Sequence, residues 1–219
     1  MHHVLSLQSS IRGSESHSRQ ISARLIAQLQ SQQPIRHLER DLALAPLPHF
    51  SIDTYRGFHG EQDPAASAAA ALSDQLIDEL LGIDTLIIAA PVYNFSFPTT
   101  LKAWFDHIAR SGRTFSYREA FTSPLADLQV YVVLTYGGGN VDHIESQLRQ
   151  QFAMLGVSKI EVIHGAMLDR SDNQQARQQL EQQLQQLSLA PQSAMSLAAS
   201  QAAAPVAAQA PVATPMEQH

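Results

Sequence analysis

Residues 85–98 read TLIIAAPVYNFSFP, and this stretch decides the fold. Its first part, residues 85–90, is a short apolar run that is typical of a buried parallel strand, and Pro91 ends it. Residues 92–98 then predict a loop at the carboxyl end of that strand, which is where ligands bind in open α/β sheets. Because this loop carries aromatic and amide groups and no charge, it suits a flat, uncharged ring.

Strand-like and helix-like segments alternate along the rest of the chain, and this predicts a parallel sheet covered by helices on both faces. We expect the last helix to begin near Ser171 and Asp172, which are both good N-caps, and Gly156 to end the helix before it. Strands are expected at residues 4–7, 35–42, 85–90, 128–134 and 160–163, with the other helices at 18–32, 65–81, 99–110 and 142–155. Five strands joined in this way fit an α/β, flavodoxin-like fold with the parallel strand order 2-1-3-4-5.

The bulk composition restricts the class of protein. With 219 residues, the chain is long enough for one domain with a sizeable core. Its net charge of −6 and its lack of a basic stripe argue against a nucleic-acid partner. Cysteine is absent, which excludes disulfides, thiolate catalysis and thiolate metal sites. The apolar runs are too short to span a bilayer and the N-terminus lacks a secretion signal, so we expect a cytoplasmic protein without a membrane partner.

The composition changes near Pro191, after which Ala, Gln, Pro and Ser dominate. Such a segment offers little large apolar surface to offset the ordering cost of about 1–2 kcal/mol per residue. We therefore expect a flavodoxin-like domain at residues 1–189 and a disordered tail at residues 190–219. A docked or partly helical tail is the alternative, because Ala and Gln are good helix formers.

A serine-rich loop, residues 8–18 (QSSIRGSESHS), connects the first strand to the first helix. The hydroxyls of Ser10, Ser16 and Ser18, together with the free N–H groups at the start of the helix, are suited to surround a phosphate. The loop has neither the GxGxxG pattern of dinucleotide sites nor the lysine of nucleotide-hydrolysing loops, so it fits a terminal phosphomonoester. A polar turn with a serine N-cap is the alternative.

Two further loops are suited to a flavin ring, which needs hydrogen bonds at its pyrimidine edge and an apolar surface elsewhere. Residues 92–95 offer backbone groups, the Asn94 amide and two aromatic rings, and residues 135–138 contain glycines that let the backbone approach a ligand. Ordinary turns and core aromatics would explain either loop alone, but all of these loops follow strands at one edge, which points to flavin mononucleotide (FMN). The cofactor-binding residues expected are Ser10, Ser16, His17, Ser18, Pro91, Val92, Tyr93, Asn94, Phe95, Thr135, Tyr136, Gly137 and Gly138.

The sequence contains no pattern typical of a nucleophile with its base. A GxSxG elbow is absent, and the ten histidines show no HExxH or other metal-ligand spacing. We expect His107 to lie on a helix surface or at a pocket edge rather than to ligate a metal. Because a flavin itself carries the hydride, we expect neither a catalytic side chain nor a metal.

With these residues, the chain resembles the FMN-dependent NADH-azoreductases, a family of flavodoxin-like quinone reductases. The resemblance covers roughly residues 1–168 and rests on several motifs taken together in this order. They are Ser10 with Ser16-His17-Ser18, Arg40-Asp41-Leu42, Pro91-Val92-Tyr93-Asn94-Phe95, Leu101-Lys102-Ala103-Trp104-Phe105-Asp106, residues 110–117 (RSGRTFSY) and Thr135-Tyr136-Gly137-Gly138.

The resemblance implies a homodimer with one FMN per subunit, in which NADH or NADPH is the electron donor. It also implies ping-pong, two-electron transfer to quinones and aromatic azo compounds. Phe115 and Tyr117 would lie near the dimer interface and form part of the substrate pocket. Residues 118–125 lack the glycines usual in the family and the connection at residues 139–142 is short, so the resemblance does not fix the substrate range.

Two other functions are compatible with the sequence. A flavodoxin-like electron carrier would bind FMN without turning over NAD(P)H, although such carriers are typically shorter and more acidic. A sensor or scaffold would bind a partner through its tail and retain only a vestigial flavin site. The spectrum of the purified protein on addition of NADH would separate all three.

Overall fold

The computed structural model describes residues 1–118, 121–170, 172–187 and 189. Its strands are β1 (His2–Gln8), β2 (Ile35–Asp41), β3 (Thr85–Pro91), β4 (Gln129–Tyr136) and β5 (Lys159–Ala166). Its α-helices are α1 (His17–Gln32), α2 (Ile52–Phe58), α3 (Pro64–Leu81), α4 (Thr99–Ile108), α5 (Asp142–Met154) and α6 (Gln174–Gln186). The strands form one parallel sheet in the order β2-β1-β3-β4-β5, so the flavodoxin-like prediction is confirmed.

The central strand, β3, fixes where the loops meet. Every residue of Thr85–Pro91 is buried, as the apolar run predicts, because helices cover both faces of the sheet. Gln8 of β1 pairs with Ala89, and Pro91 pairs with Thr135 of β4. The three strands therefore end within a few residues of each other, which brings the loops after them to one edge of the sheet.

Two hydrophobic clusters hold the helices on the sheet. On one face, α3, α4 and α5 pack through side chains such as Ile77, Trp104 and Phe152. On the other face, α1 and α6 pack through Leu25 and Leu180. The apolar side of α4, formed by residues spaced three or four apart, is buried against the sheet: Leu101, Trp104, Phe105 and Ile108.

Helix α2 lies between the strand expected at residues 35–42 and the helix expected at residues 65–81, where the sequence predicts no regular element. A capping box starts it, because the Ser51 hydroxyl accepts the Thr54 N–H at 3.2 Å and the Thr54 hydroxyl accepts the Ser51 N–H at 3.4 Å. Gly57 lets it pack closely on α3, since a Cβ there would lie 2.3 Å from the Ala66 carbonyl oxygen. A short helix containing a glycine gives no periodic signal, which is why it escapes sequence analysis.

Two local predictions are wrong. His107 is buried, not on a surface, and its Nε2 bonds to the carbonyl oxygen of Pro48 at 3.0 Å. Helix α6 begins at Gln174, where the side chain of Asn173 accepts the Ala176 N–H and so takes the capping role that we expected of Ser171 or Asp172. The left-handed φ of +78° at Gly156 agrees with the predicted end of α5.

The expected division of the chain into a domain and a disordered tail stays a prediction. Residues 1–189 form one compact unit, and Leu189 is buried in the cluster beneath α6. The expected tail at residues 190–219 lies outside the described residues. In the described part of the chain, no helix is both long and apolar enough to cross a bilayer.

Candidate functional site

Loops after β1, β3, β4 and β5 enclose a cavity of about 80 Å³ at the carboxyl edge of the sheet. Most of the side chains and backbone groups that line it belong to the cofactor-binding set expected from the sequence. The lining residues are Ser10, Arg12, Ser16, His17, Pro91, Val92, Tyr93, Thr135, Tyr136, Gly137, Gly165, Leu168 and Asp169.

Three serines that follow β1, which an ordinary polar turn would expose, are buried. Ser10, Ser16 and Ser18 are each at most 2% exposed. Ser16 is the N-cap of α1, where its hydroxyl accepts the Arg19 N–H at 3.4 Å and lies 3.0 Å from the hydroxyl of Ser18. The free N–H groups and the positive end of the α1 dipole therefore face the same space as the Ser10 and Ser16 hydroxyls.

Buried polar contacts fix this loop to its neighbours. The Ser9 hydroxyl donates to the Ala89 carbonyl oxygen of β3 at 2.6 Å. The Arg19 guanidinium contacts the Asp41 carboxylate at 2.6 Å and donates to the Ser10 carbonyl oxygen at 3.2 Å. Both charged side chains of this pair are about 15% exposed, so the contact is more rigid than a surface ion pair.

Tyr93 connects the loop after β3 to the serine loop. Its hydroxyl oxygen accepts the Ile11 N–H at 3.2 Å and lies 3.2 Å from the hydroxyl of Ser10. The phenol therefore closes one side of the cavity and adds a third hydroxyl to those of Ser10 and Ser16. The sequence predicts that Tyr93 contacts the flavin ring, whereas in the structure its hydroxyl contacts Ser10 and Ile11 of the serine loop.

A strained turn follows Tyr93. The N–H of Tyr93 donates to the Ser96 carbonyl oxygen at 2.8 Å and the N–H of Ser96 donates back at 3.0 Å. The two residues between them, Asn94 and Phe95, have φ values of +49° and +62°. Asn tolerates this left-handed region, but Phe rarely adopts it, and such strain is typical of functional sites. A hydrogen bond of 2.9 Å from His143 Nε2 to the Phe95 carbonyl oxygen holds the turn.

The end of β4 and the loop after it bring backbone to the middle of the site. The Thr135 carbonyl oxygen accepts the Val92 N–H at 2.7 Å, and the Tyr136 carbonyl oxygen accepts the Met167 N–H at 2.7 Å. A Cβ at Gly137 would meet nothing within 4 Å, so this position faces open space. Burial, with Asp142 and then Glu145 as further causes, raises the pKa of the Tyr136 phenol, which therefore stays neutral at physiological pH.

The structure adds a charged group that sequence analysis missed. Asp169, in the loop after β5, contacts Arg12 Nη1 at 2.6 Å and His17 Nε2 at 3.1 Å, both through its Oδ1. The hydrogen bond from Arg12 lowers the pKa of the Asp169 carboxyl. Arg12 is the one arginine within residues 8–18 and so could have been singled out, but no sequence signal links it to a residue 157 positions away.

Other predicted residues do not line the cavity. Asn94 and Phe95 are exposed and lie outside its lining, as does Gly138, whose φ is +143°. Ser18 also lies outside the lining, and its hydroxyl contacts that of Ser16. Phe115 and Tyr117 pack edge to face at 5.4 Å, and Tyr117 is 89% exposed. Within the described residues, no group of three or more His, Asp or Glu side chains is arranged to hold a metal ion.

A larger groove of about 330 Å³ lies between α1 and β2. Within it, His37 Nε2 lies 2.9 Å from the Ser6 hydroxyl, and Gln8 donates to Glu39 at 3.3 Å. Its lining comes from α1 and from the neighbouring strands β1 and β2, without a loop at a strand end. The smaller cavity, where several loops converge, is therefore the better candidate site.

Comparisons with known proteins identify the family of the chain. A family model described as a flavodoxin-like fold matches residues 2–187. An FMN-dependent NADH:quinone oxidoreductase of Azotobacter vinelandii is 39% identical over 186 residues, which cover 81% of this chain and 94% of the relative. A second such protein, from Pseudomonas putida, is 39% identical over 180 residues, which cover 78% of this chain and 90% of the relative.

Solved structures show the same fold. An FMN-dependent NADH-azoreductase from Bacillus anthracis, crystallised in complex with FMN, superposes with a TM-score of 0.74 at 16% identity. The match covers 84% of this chain and 96% of that one. At this level of identity, the likeness concerns the architecture alone.

Proposed function

Because the chain belongs to the flavodoxin-like family of FMN-dependent NADH:quinone oxidoreductases, we propose that it binds one FMN per subunit and reduces quinones with NADH or NADPH. The observation that carries the proposal is the cavity at the carboxyl edge of the sheet, where buried serine hydroxyls and the Arg12 guanidinium meet loops rich in backbone groups. A phosphomonoester joined to a flat, neutral ring needs that combination.

The phosphate end of the site, which we define as Ser10, Arg12, Ser16, His17 and Tyr93, fits the FMN phosphate. It offers three hydroxyls, two nitrogen donors and the N-terminus of α1 around one small space. The cavity volume of about 80 Å³ is well below the roughly 300 Å³ or more of a pocket that encloses a whole ligand. The enclosed part therefore suits the phosphate, and the ring would lie over the open loops beside it.

The ring end of the site, which we define as residues 94–95 and 135–138, fits the flavin. Glycines let the backbone approach the ring closely, and the Asn94 amide and backbone N–H groups are available to the pyrimidine edge. The left-handed turn presents Phe95, 78% exposed, beside this surface. Bound FMN would accept a hydride from the nicotinamide and deliver it to the acceptor.

The chain's own residues bind and orient in this mechanism. The phosphate end fixes the cofactor along the sheet edge, and backbone donors at Gly137 and Gly138 would stabilise negative charge at the pyrimidine edge. The neutral phenol of Tyr136 adds no charge that would oppose this. Hydride transfer needs no side-chain nucleophile or base, which agrees with the lack of a nucleophile–base pair in the sequence.

We infer that the two half-reactions share one open face, as ping-pong transfer requires, and that aromatic azo compounds as well as quinones are acceptors. Phe115 and Tyr117 would form part of the wall of that face in a homodimer. Exposed apolar side chains support an interface: Leu44, Phe50, Ile52, Tyr55, Phe95 and Tyr117. A chain without cysteine suits the reducing cytoplasm.

Anaerobic mixing tests the proposal. Purified protein loaded with FMN is first treated with NADH in the absence of any acceptor, and the oxidised flavin absorption should bleach. Addition of benzoquinone, after removal of NADH, should restore it. A flavin that stays oxidised in the first step would rule out ping-pong transfer. If NADH and quinone mixed together then also fail to react, the protein is an electron carrier instead. If NADH is consumed only in that mixture, the protein is a reductase that needs both substrates bound at once.

A further inference from the structure

The Oδ1 atom of Asp169 takes up two nitrogen donors of the proposed phosphate end. It lies 2.6 Å from Arg12 Nη1 and 3.1 Å from His17 Nε2, and all three residues line the cavity. One oxygen that receives two nitrogen donors is the pattern in which a phosphate oxygen is usually held. The carboxylate and an incoming phosphate therefore require the same donors.

The loop that carries Asp169 is held in place. Its Met167 N–H donates to the Tyr136 carbonyl oxygen at 2.7 Å, and its Leu168 side chain is 5% exposed. Arg177 of α6 donates to the Leu168 carbonyl oxygen at 3.0 Å. Asp169 thus faces the cavity because the backbone on its N-terminal side is anchored to β4 and α6.

We propose that Asp169 is an affinity-setting residue, whose carboxylate competes with the phosphate of FMN for Arg12 and His17. This inference rests on the proposed function, because it concerns the same site. With FMN bound, the phosphate end holds a phosphate dianion and one carboxylate against one guanidinium and one imidazole. The site is therefore richer in negative charge than in positive charge, and the excess weakens the binding of any phosphomonoester.

The competition discriminates between ligands by charge. Riboflavin carries the same ring without the phosphate, so Asp169 does not oppose it. Inorganic phosphate carries the charge without the ring and meets the same opposition as FMN. A comparison of the affinities for these three molecules therefore separates the effect of the carboxylate on the phosphate from any effect of the loop on the ring.

Fluorescence titration of FMN and riboflavin against the wild type and Asp169→Asn tests the inference. Asparagine keeps the shape of this side chain, which is 61% exposed, so the variant is expected to fold. It should bind FMN about fivefold tighter, because a like charge near the phosphate in a partly solvated site is removed, while riboflavin affinity stays unchanged. The matched control is Glu181→Gln, which removes another carboxylate paired with an arginine, Arg24 of α1, outside the cavity.

Two further arms sharpen the result. Displacement of FMN by inorganic phosphate gives the dissociation constant of phosphate, once the FMN affinity of each protein is taken into account. This dissociation constant should be lower for Asp169→Asn than for the wild type. In an Arg12→Gln background, the gain from Asp169→Asn should shrink, since the carboxylate would have lost its main partner. A gain that stays the same in that background would contradict competition for Arg12.

The outcomes are distinguishable. If Asp169→Asn weakens FMN binding, Asp169 positions Arg12 and His17 for the phosphate, and the inference is overturned. Equal changes for FMN and riboflavin would also overturn it, since they would show an effect of the loop on the ring. A wild type that binds neither flavin would refute the proposed function itself, whereas a wild type that binds FMN with no response to Asp169→Asn would refute only the role of Asp169.

Discussion

The two ends of the candidate site are built differently within one chain. At the phosphate end, Ser10 and Ser16 are at most 2% exposed and take part in hydrogen bonds that join α1, β1 and the loop after β3. At the ring end, Phe95 is 78% exposed. A phosphate is small and its donors need rigid placement, so a single chain supplies them. A ring that exchanges substrates needs an open face, and in the proposed homodimer a second subunit would supply the remaining wall.

The largest expected effect concerns the phosphate end. The double substitution Ser10→Ala with Ser16→Ala should weaken FMN binding about a hundredfold, because hydrogen bonds to a charged group are each worth roughly 1.5–3 kcal/mol. Riboflavin affinity should change far less. Loss of the Ser16 cap should also lower the free energy of unfolding by about 1 kcal/mol.

Fluorescence titration measures the affinities, with Ser14→Ala as the control, since Ser14 is exposed in the same loop and does not line the cavity. An equal loss for both flavins would mean that the serines support the loop without contacting the phosphate. The contrast between the two ends would then have no functional meaning.

A smaller effect is expected at the ring end. Asn94→Ala should weaken FMN binding or slow flavin reduction about tenfold, because a flavin polar atom loses its partner at about 1–3 kcal/mol. Asn94→Gly separates the amide from the backbone, since glycine adopts the φ of +49° without strain. Stopped-flow reduction by NADH gives both quantities. Wild-type values in the glycine variant alone would show that the turn, not the amide, is what matters.

A substitution on the open face should change the rate of quinone reduction but not the affinity for FMN. Tyr117→Ala should lower kcat/KM for benzoquinone several-fold while FMN affinity stays unchanged, because its 89% exposed ring belongs to the proposed substrate wall. Steady-state assays compare it with Met154→Ala, which removes an exposed apolar side chain of α5. An equal effect of both variants, or a loss of FMN with Tyr117→Ala, would contradict this assignment.

The smallest effect is expected from truncation. A chain ending at Leu189 should keep its FMN, its dimeric mass in light scattering and its quinone reductase rate, since the domain predicted from sequence ends there. A chain ending at Gln186 should have a lower melting temperature, because it loses Leu189, which is 2% exposed in the core. If the longer chain is monomeric or inactive, residues 190–219 contribute to the interface or the site.

Sequence patterns predict the sheet well because each strand leaves a local signal in consecutive residues. The apolar run of β3 and the loops at strand ends followed from periodicity and from proline and glycine, and the order β2-β1-β3-β4-β5 confirms the fold. Helix α2 escaped because its stability depends on a non-local contact, the close approach of Gly57 to α3. The buried position of His107 depends likewise on the distant Pro48.

The site was predictable to the extent that its parts are contiguous in sequence. The serine loop and the residues around Tyr93 and Thr135 were found because each follows a strand. The pair of Arg12 and Asp169 spans 157 positions, and a carboxylate after β5 has no recognisable pattern of its own. The reach of Tyr93 toward Ser10 is also a tertiary feature, since nothing in the sequence fixes which loop a phenol will contact.

Calorimetric titration with FMN, FAD and riboflavin measures whether the phosphate anchors the cofactor in this site. We expect one FMN per chain, riboflavin affinity at least about tenfold weaker than FMN affinity, and FAD affinity weaker than FMN affinity. At about 100 times its dissociation constant, FMN should also raise the free energy of unfolding by about 2.7 kcal/mol. Binding of FAD as tight as that of FMN would show that the site is not built around a terminal phosphate, and no flavin binding at all would refute the proposed function.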